Sequence, residues 1–259
     1  MLTYLRSLPA GPTHELPAGC RHCPLRRLAV FQPIGPLELG LIEEMKIAEL
    51  EREAGATLIV EGQSDGPLYT LLSGWAFRYK TLGDGRRQIL NIMLPGDFIG
   101  LQQKMNEAAS HGVEALTEVH LCTFARDAVW TLHRELPSLG YDVTWLSAHE
   151  NHLVDENLLS VGRRNAIERL GALLLSLHAR ALPFDPLAAE AGLHFPLTQQ
   201  HLADMLGLSL VHTHRSLRAL QRAGLYRMSG ARLQLPDPAA LAALARLRWP
   251  LEMPPRPLI

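Results

Sequence analysis

The alternation of apolar and polar positions predicts two short amphipathic helices between Leu197 and Leu225. Apolar residues recur at helical spacing in both, as at Leu202 in the first helix and Leu217 in the second. Gly207 stands between them, where a helix ends and the chain can turn. The pattern therefore predicts a helix, a tight turn and a second helix.

The second of these helices has a strongly basic polar face. Its members are His212, His214, Arg215, Arg218 and Arg222. Ser209 precedes the helix and is its predicted N-cap. A basic helix after a tight turn is typical of a helix-turn-helix whose second helix enters a DNA major groove. The alternative is an αα-hairpin packed in a core, which has little use for a row of Arg on one side.

Between Ala54 and Ala125 the sequence pattern changes from helical spacing to short β-rich runs. The β-rich runs there are Leu58–Val60, Leu68–Leu72, Trp75–Tyr79, Gln88–Ile92 and Val119–Cys122. Glycines separate these runs at intervals of 12, 11 and 11 residues, at Gly62, Gly74, Gly85 and Gly96. Regular glycines between short strands predict the repeated turns of a compact barrel or roll. Gly83–Gly85 is a strong hairpin signal.

Helical patterns flank the predicted roll. A short helix is expected from about Glu38 to Leu50, and a long one from Pro137. The long helix has an apolar stripe at Leu139, Val143, Leu146 and Leu153, which Glu150 and Asn157 interrupt. A second copy of the chain could cover this stripe in a two-stranded coiled coil. The alternative is a helix that lies on its own roll.

Further elements are predicted around the helix pair. Residues 165–168 fit a capping box, and a helix follows to about Ala179. Residues 181–195 are predicted as a loop. Gly230 between two short runs predicts a β-hairpin wing over Tyr226–Leu235, and a helix is expected from Pro238.

Charge is distributed unevenly over the 259 residues, whose net charge is −1. The segment between Pro196 and Pro250 has seven Arg and no Lys, against Asp204 and Asp237. A basic module attached to an acidic one suits a protein that contacts DNA phosphates. No apolar run reaches the roughly 18 residues that span a bilayer, and no signal-peptide pattern occurs. We therefore expect a cytoplasmic protein without a membrane partner.

The sequence lacks the residue patterns that are typical of enzyme active sites. There is no carboxylate cluster with metal-ligand spacing, no nucleophile elbow and no phosphate-binding loop. Asp97 and Glu114 are interpreted as turn and surface residues. In a cytoplasmic protein the three cysteines should be thiols or ligands, not disulfides.

Four segments carry a resemblance to a known family: Leu71–Gly74, Leu94–Gly100, Gly162–Leu170 and Leu197–Ser209. In that order they resemble the Crp/Fnr superfamily of bacterial transcription regulators. The resemblance implies a homodimer on palindromic double-stranded DNA, with about one helical turn between half-site centres. It also implies contact with RNA polymerase and a signal sensed in the N-terminal half.

The implied fold class is α+β, with a double-stranded jelly roll like that of cyclic-nucleotide-binding domains, a long dimerisation helix and a winged helix-turn-helix. The expected parts are a Cys-containing segment at 1–32, a roll at 33–136, the dimerisation helix at 137–163 and the DNA-binding domain at 164–259.

The resemblance also bears on the signal. Members that bind cyclic nucleotides neutralise the cyclic phosphate with an Arg in the roll. The corresponding stretch, Gly100–Glu114, has no Arg, and residues 110–112 read Ser-His-Gly where the phosphate should sit. Without that cation the phosphate charge would be poorly compensated, so cyclic AMP is not expected as the ligand.

The cysteines match a different group of members. Oxygen-sensing members hold a [4Fe–4S] cluster with three N-terminal cysteines and one on a late strand of the roll. Cys20, Cys23 and Cys122 resemble three of those four, whereas Phe31 stands where the remaining one is expected. The fourth ligand would be a carboxylate, a His or an exogenous group, and among nearby residues it stays open between His14, Glu15, His22 and His120.

Two alternatives to a cluster remain. Cys20 and Cys23 form a Cys-x-x-Cys pair, which also suits thiol redox chemistry or half of a zinc site. A regulator without any cofactor is the other alternative, controlled by its abundance or by protein contacts.

The resemblance assigns DNA contacts as well. Arg215 matches the family Arg that reads guanine, and Val211 stands where a Glu is usual, so it could contact a thymine methyl. His212 and His214 are candidates for bases or phosphates, and Arg218 lies on the same face. Phosphate contacts are expected at the start of the first helix, from Thr198 and Gln199, although capping is the alternative role for these two residues.

Overall fold

The structure is a computed structural model that describes residues 19–64, 66–101 and 108–259. The candidate ligands His14 and Glu15 lie outside the described residues. Two 3-10 turns, Cys20–His22 and Pro24–Arg27, open the described chain.

The N-terminal elements are α1 (Pro36–Met45), β1 (Lys46–Arg52), β2 (Thr57–Ile59), β3 (Leu68–Ser73), β4 (Ala76–Thr81), β5 (Arg87–Met93), β6 (Phe98–Ile99), β7 (Gly112–Ala115), β8 (Val119–Phe124) and α2 (Ala128–Glu135). The elements that follow are α3 (Pro137–Arg163), α4 (Ala166–Ala181), α5 (Ala188–Ala191), β9 (Leu193–His194), α6 (Gln199–Leu206), α7 (Leu210–Arg222), β10 (Arg227–Ser229), β11 (Arg232–Gln234) and α8 (Pro238–Leu244).

The predicted roll consists of two antiparallel four-stranded sheets, with strand orders β1-β8-β3-β6 and β2-β7-β4-β5. All five predicted strands are present. The expected helix over Glu38–Leu50 was wrong in its second half, because the chain leaves the helix at Met45 and pairs with β8 as β1. β6 and β7 were not predicted, since such short strands carry little pattern of their own.

The regularly spaced glycines mark turns, as predicted. Gly62, Gly74, Gly85 and Gly96 all have φ between 84° and 87°, a region that side chains with a Cβ rarely adopt. At Gly74 a Cβ would also lie 2.1 Å from the carbonyl oxygen of Glu118. Glycine is required there both by conformation and by space.

The long helix α3 has the predicted extent. The prediction that its apolar stripe packs against a second copy of the chain was wrong. Leu139, Val143 and Leu146 are buried in their own chain, in a cluster that includes Ile42 and Phe124. The N-terminal half of α3 therefore lies on its own roll. A partner copy is not needed to cover these residues.

The polar interruptions of that stripe also have their neighbours within the chain. The Oε1 atom of Glu150 lies 3.1 Å from the Nε atom of Arg78 in β4, and both side chains are buried. Asn157 donates a hydrogen bond of 3.0 Å to the carbonyl oxygen of Leu90 in β5. These polar residues anchor α3 to the roll and do not face a partner.

The winged helix-turn-helix follows the predicted plan. Asn165 caps α4, accepting from two backbone amides while the Glu168 side chain accepts from the Asn165 amide. The wing is the hairpin of β10 and β11, with Gly230 at its turn. The loop expected over 181–195 was only partly right, since α5 and β9 lie within it and β9 extends the wing sheet by pairing with β11.

The DNA-binding domain packs directly on the roll. Arg87 at the start of β5 contacts Asp204 of α6, with Nη2 and Oδ2 3.1 Å apart, and its guanidinium lies over the Phe77 ring. Gln88 donates to the carbonyl oxygen of Met205 at 2.9 Å. One apolar cluster runs across both domains, so no gap separates them at this contact.

The last ten residues, 250–259, form a segment that the sequence did not predict, here called the tail. It leaves α8 and returns to the roll, where Phe31 and Arg256 form a parallel β-bridge. Arg256, Leu258 and Ile259 are buried. The tail thus connects the end of the DNA-binding domain to the N-terminal cysteine segment.

The buried Glu150 should make stability depend on pH. Burial is the largest influence on this carboxyl and raises its pKa from 4.5 to about 7, against the attraction of Arg78. Because the folded state holds the proton more tightly, stability should fall as pH rises from about 4.5 to 7. Glu150→Gln keeps the neutral form at every pH, so its stability relative to wild type should rise over that range by on the order of 2 kcal/mol.

Urea unfolding of both proteins at pH 4.5, 6 and 8 measures this difference. Glu156→Gln, at an exposed position on the same helix, is the control and should show no such trend. A Glu150→Gln difference that stays constant with pH would contradict the prediction.

Candidate nucleic-acid interface and thiol site

The recognition helix α7 is packed against the domain core on one face and exposed on the other. Ser209 caps it by accepting from the His212 amide at 3.2 Å, as predicted. Leu217 and Leu220 are buried against the domain core, as are Thr213 and Ser216. Helical periodicity then turns the remaining side chains outward.

The outward side chains of α7 are those that the sequence singled out. His212, His214, Arg215, Arg218 and Arg222 are all exposed. Val211, near the helix start, is 68% exposed. A helix with cationic and apolar groups on its free face can contact both phosphates and base edges.

The start of α6 presents a second polar group. Thr198 is the N-cap, and its hydroxyl accepts from the His201 amide at 3.2 Å. The capping role considered for Thr198 is therefore present, and its side chain remains exposed. Gln199 is exposed beside it, at a helix end where backbone amides favour an anion.

His111, which the resemblance places where a cyclic phosphate would sit, does not offer an exposed cation. This side chain is buried, and burial, helped by the charge of Arg78, lowers its pKa to about 4. The imidazole is therefore neutral at physiological pH. Arg78 is engaged by Glu150, so it does not offer its charge freely to an anion.

Two of the three cysteines share one apolar cluster. Cys20, in the first 3-10 turn, and Cys122, in β8, pack with Ile42, Phe98 and other core residues. Cys23 is half-buried and lies against a neighbouring cluster. A thiolate at Cys20 or Cys23 would be near enough to raise the pKa of Cys122, so the fold brings the predicted trio to one region, here called the thiol site.

The thiol site is apolar but flanked by cations. Burial raises the pKa of Cys20, and it raises that of Cys122 to about 12. Both thiols are therefore protonated at neutral pH. Lys46 and Arg26 oppose this effect at Cys20, and Lys46 opposes it at Cys122.

The donors at the thiol site do not form a closed metal centre. Within the described ranges, no three His, Cys, Asp or Glu side chains are grouped closely enough to hold one metal ion. His22 is exposed, and His120 pairs with Glu51. Glu49, a carboxylate that the sequence did not single out, lies directly opposite Cys122 across the β1–β8 pairing.

Phe31 occupies the position where a further cysteine was expected. Its ring lies 6.0 Å from that of Phe184, and the Arg256 guanidinium lies 5.2 Å above it. Arg256 also reaches Asp97, which was predicted as a turn or surface residue. Asp97 does lie in a turn, but it is buried and ion-paired with Arg180 and Arg256.

Sequence comparison matches both halves of the chain to known domains. Residues 168–244 match the Crp-like helix-turn-helix domain, and residues 49–135 match the cyclic nucleotide-binding domain. The transcriptional activator protein FnrL of Cereibacter sphaeroides is 30% identical to this chain. The matched region covers 85% of this chain and 89% of the length of FnrL. The chain belongs to the Crp/Fnr family of transcription regulators.

Further relatives agree with this assignment. The nitrogen fixation regulation protein FixK of Bradyrhizobium diazoefficiens is 31% identical, over 87% of this chain and 93% of the relative. The solved structure of FixK2 from Bradyrhizobium japonicum superimposes with a TM-score of 0.68 at 25% identity, covering 76% of this chain and 96% of that one. This Crp/Fnr protein is therefore a DNA-binding regulator and not an enzyme. Across the described residues, no helix is both long and apolar enough to cross a membrane.

Proposed function

We propose that this Crp/Fnr regulator binds a palindromic operator as a homodimer and that its DNA affinity responds to redox state or oxygen through Cys20, Cys23 and Cys122. The observation that carries the proposal is the presence, in one chain, of a free basic face on α7 and of three thiols in one region, two in the N-terminal segment and one in β8. Contact with RNA polymerase and a cytoplasmic location rest on family membership alone. Cyclic AMP is not part of the proposal, because His111 is neutral and buried.

The proposed DNA contacts divide by chemistry. Arg215 is the proposed reader of guanine, because its guanidinium can donate two hydrogen bonds to one base edge. Val211 offers only apolar contact, so the operator should differ from those read through a Glu at this position. His212, His214 and Arg218 supply the remaining contacts of the helix, and the start of α6 supplies phosphate contacts.

Arg215→Ala should abolish specific binding to the native operator. Loss of a bidentate guanine contact costs about 1–3 kcal/mol in each half-site, and a dimer loses it twice. Titration of labelled operator against protein measures the effect, with Arg248→Ala, an exposed Arg outside α7, as the control. Unchanged affinity for the operator would remove Arg215 as the reader.

The proposed dimer uses a face of α3 that the rest of the chain leaves exposed or half-buried. Its members alternate at three- and four-residue steps and are Thr144, Ser147, Asn151, Val154, Leu158 and Val161. Leu158 is 70% exposed in the single chain. Such spacing is that of a coiled-coil seam, and a polar residue such as Asn151 can set its register.

Leu158→Asp should convert the dimer to a monomer at micromolar concentration, because two unpaired carboxylates would be brought together at the seam. Light scattering at several concentrations measures the mass. Leu37→Asp, at an exposed position on α1, should leave the mass unchanged. If wild type is monomeric both free and on its operator, the dimer proposal fails.

A [4Fe–4S] cluster is the proposed cofactor. Thiolates are the usual ligands of such clusters, and Lys46 and Arg26 lie where they can offset thiolate charge. Cys20, Cys23 and Cys122 would hold it, and Glu49 is a carboxylate within the same region. When bound, the cluster would supply sensitivity to oxygen, whereas the chain supplies its ligands and an apolar surrounding.

Anaerobically purified or reconstituted protein should be brown, contain iron and sulfide, and bleach in air. Each single Cys-to-Ser substitution at the thiol site should remove the colour, since three cysteines leave no spare thiolate. The absorbance spectrum and iron content are the measurements. Colourless protein without iron after reconstitution, with DNA affinity indifferent to all three substitutions, would exclude the cluster.

A second candidate is a regulator that uses thiol chemistry without a cluster. The open arrangement of donors among the described residues favours it. In that case the anaerobic protein is colourless, and its DNA affinity still changes when Cys20 or Cys23 is replaced.

A further inference from the structure

A cavity of about 360 Å³ lies where the DNA-binding domain meets α3 and the roll. Its walls come from α3, α4, α6, the tail and the end of β5. The stretch Gly100–Glu114 contributes none of the described lining residues, so the cavity is separate from the region where a cyclic phosphate would sit. Protein interiors have few voids larger than a water molecule, and a space of this size between two domains is typical of a ligand site.

Most of the cavity wall is apolar. Each surrounding helix and the tail contribute large aliphatic side chains, namely Leu153 of α3, Leu173 and Leu177 of α4, Met205 of α6 and Leu251 of the tail. An apolar cavity of about 150 Å³ is large enough to hold benzene. By that ratio, this one has room for an apolar body of about fourteen non-hydrogen atoms.

Arg164 places a cation at the wall of this cavity. It lies between α3 and α4, is half-buried, and donates from Nε to the carbonyl oxygen of Ala245 at 3.0 Å. The neighbouring carboxylate of Glu168 is engaged by Arg246 and by the Asn165 amide. The described chain therefore gives the Arg164 guanidinium no carboxylate of its own, and its planar fork matches one.

Ser160 adds a second polar group at the same wall. It precedes Arg164 by four residues on α3, so the two side chains lie on one face of the helix. Its buried hydroxyl has no hydrogen-bond partner within the described ranges. Leaving such a group unpaired costs free energy that a ligand oxygen would recover.

The other charges around the cavity also favour an anion. Arg180 and Arg256 line it and are buried, and these two cations share the single carboxylate of Asp97. Glu156 and Glu252 line it as well, but both are exposed, so water and salt screen their charges. The buried charge beside the cavity is therefore positive.

We infer that this cavity is an effector site for a small organic acid, whose carboxylate binds Arg164 and the Ser160 hydroxyl and whose apolar body lies between α3, α4 and the tail. Such a ligand contacts α3 on one side and the DNA-binding domain on the other. Its binding fixes the angle between them at Arg164, so operator affinity depends on the ligand. The inference rests on the proposed operator binding, but not on the cysteines.

Calorimetric titration of the full chain tests the site with probes of suitable size. Decanoate is a straight-chain acid, 4-phenylbutyrate is an aromatic acid, and decanamide is the neutral counterpart of decanoate. At least one acid should bind with one molecule per chain. Decanoate, if it is that acid, should bind about tenfold or more tightly than decanamide, because only the carboxylate forms charge-assisted hydrogen bonds with Arg164.

Three variants separate the charge from the cavity. Arg164→Gln should weaken acid binding about tenfold or more and leave decanamide binding unchanged. Ser176→Phe, at a half-buried position on the α4 wall, should fill the space and remove binding of every probe. Arg163→Gln, at the exposed neighbouring position, is the matched control and should bind like wild type. Thermal melting checks that each variant is folded.

Titration of labelled operator tests the effector role. A saturating concentration of the acid that binds should change the operator affinity of wild type by about fivefold or more and leave that of Ser176→Phe unchanged. Binding of the acid with unchanged operator affinity would overturn the effector role. The site itself fails if neither acid binds, or if Ser176→Phe and Arg164→Gln both bind the acids like wild type. If wild type binds no operator, the proposed function fails, and calorimetry still decides whether the site exists.

Discussion

The relation between the roll and the DNA-binding domain depends on the buried carboxylate of Asp97. Burial alone would raise the pKa of this carboxyl, but the charges of Arg256 and Arg180 outweigh burial and lower it. The backbone amide of Leu94 donates to the same carboxylate at 2.8 Å. Removal of one member of a buried ion network leaves an uncompensated charge and costs about 3–5 kcal/mol. The network therefore couples the position of α4 to the position of the tail.

Helix α3 has two stripes of residues with different surroundings. Its N-terminal half has an apolar face toward the roll. Glu150, at the middle of the helix, contacts Arg78, and Asn157, further along, donates to the backbone of β5. A separate stripe on the same helix remains exposed or half-buried. A helix of 27 residues is long enough to carry both stripes, and periodicity in the sequence does not say which of them has a partner within the chain.

The parts of the fold that local rules determine were predictable from sequence. Gly74 and Gly96 mark turns because their φ values exclude most other residues, and Asn165 marks a helix start because its side chain binds nearby amides. The basic face of α7 was predictable because helical spacing alone turns Arg215 and Arg218 to one side. These signals involve residues only a few positions apart.

Long-range pairings were not predictable in the same way. The contact between Asp97 and Arg256 joins residues 159 positions apart, and neither residue has a local pattern that names its partner. The burial of the tail and the position of Glu49 opposite Cys122 depend on strand register and chain path. A single sequence does not reveal either of these.

Phe31 has a consequence for how this protein could vary. Its ring packs against Phe184 and under Arg256, and Gly96 has no side chain where a Cβ would lie 2.2 Å from the ring. A Cys at this position would add the thiol that the family resemblance implies but would leave a hole beneath the tail, at a cost of several kcal/mol by the usual cavity rule. A cysteine in place of Phe31 would therefore gain a thiol only with the loss of this packing.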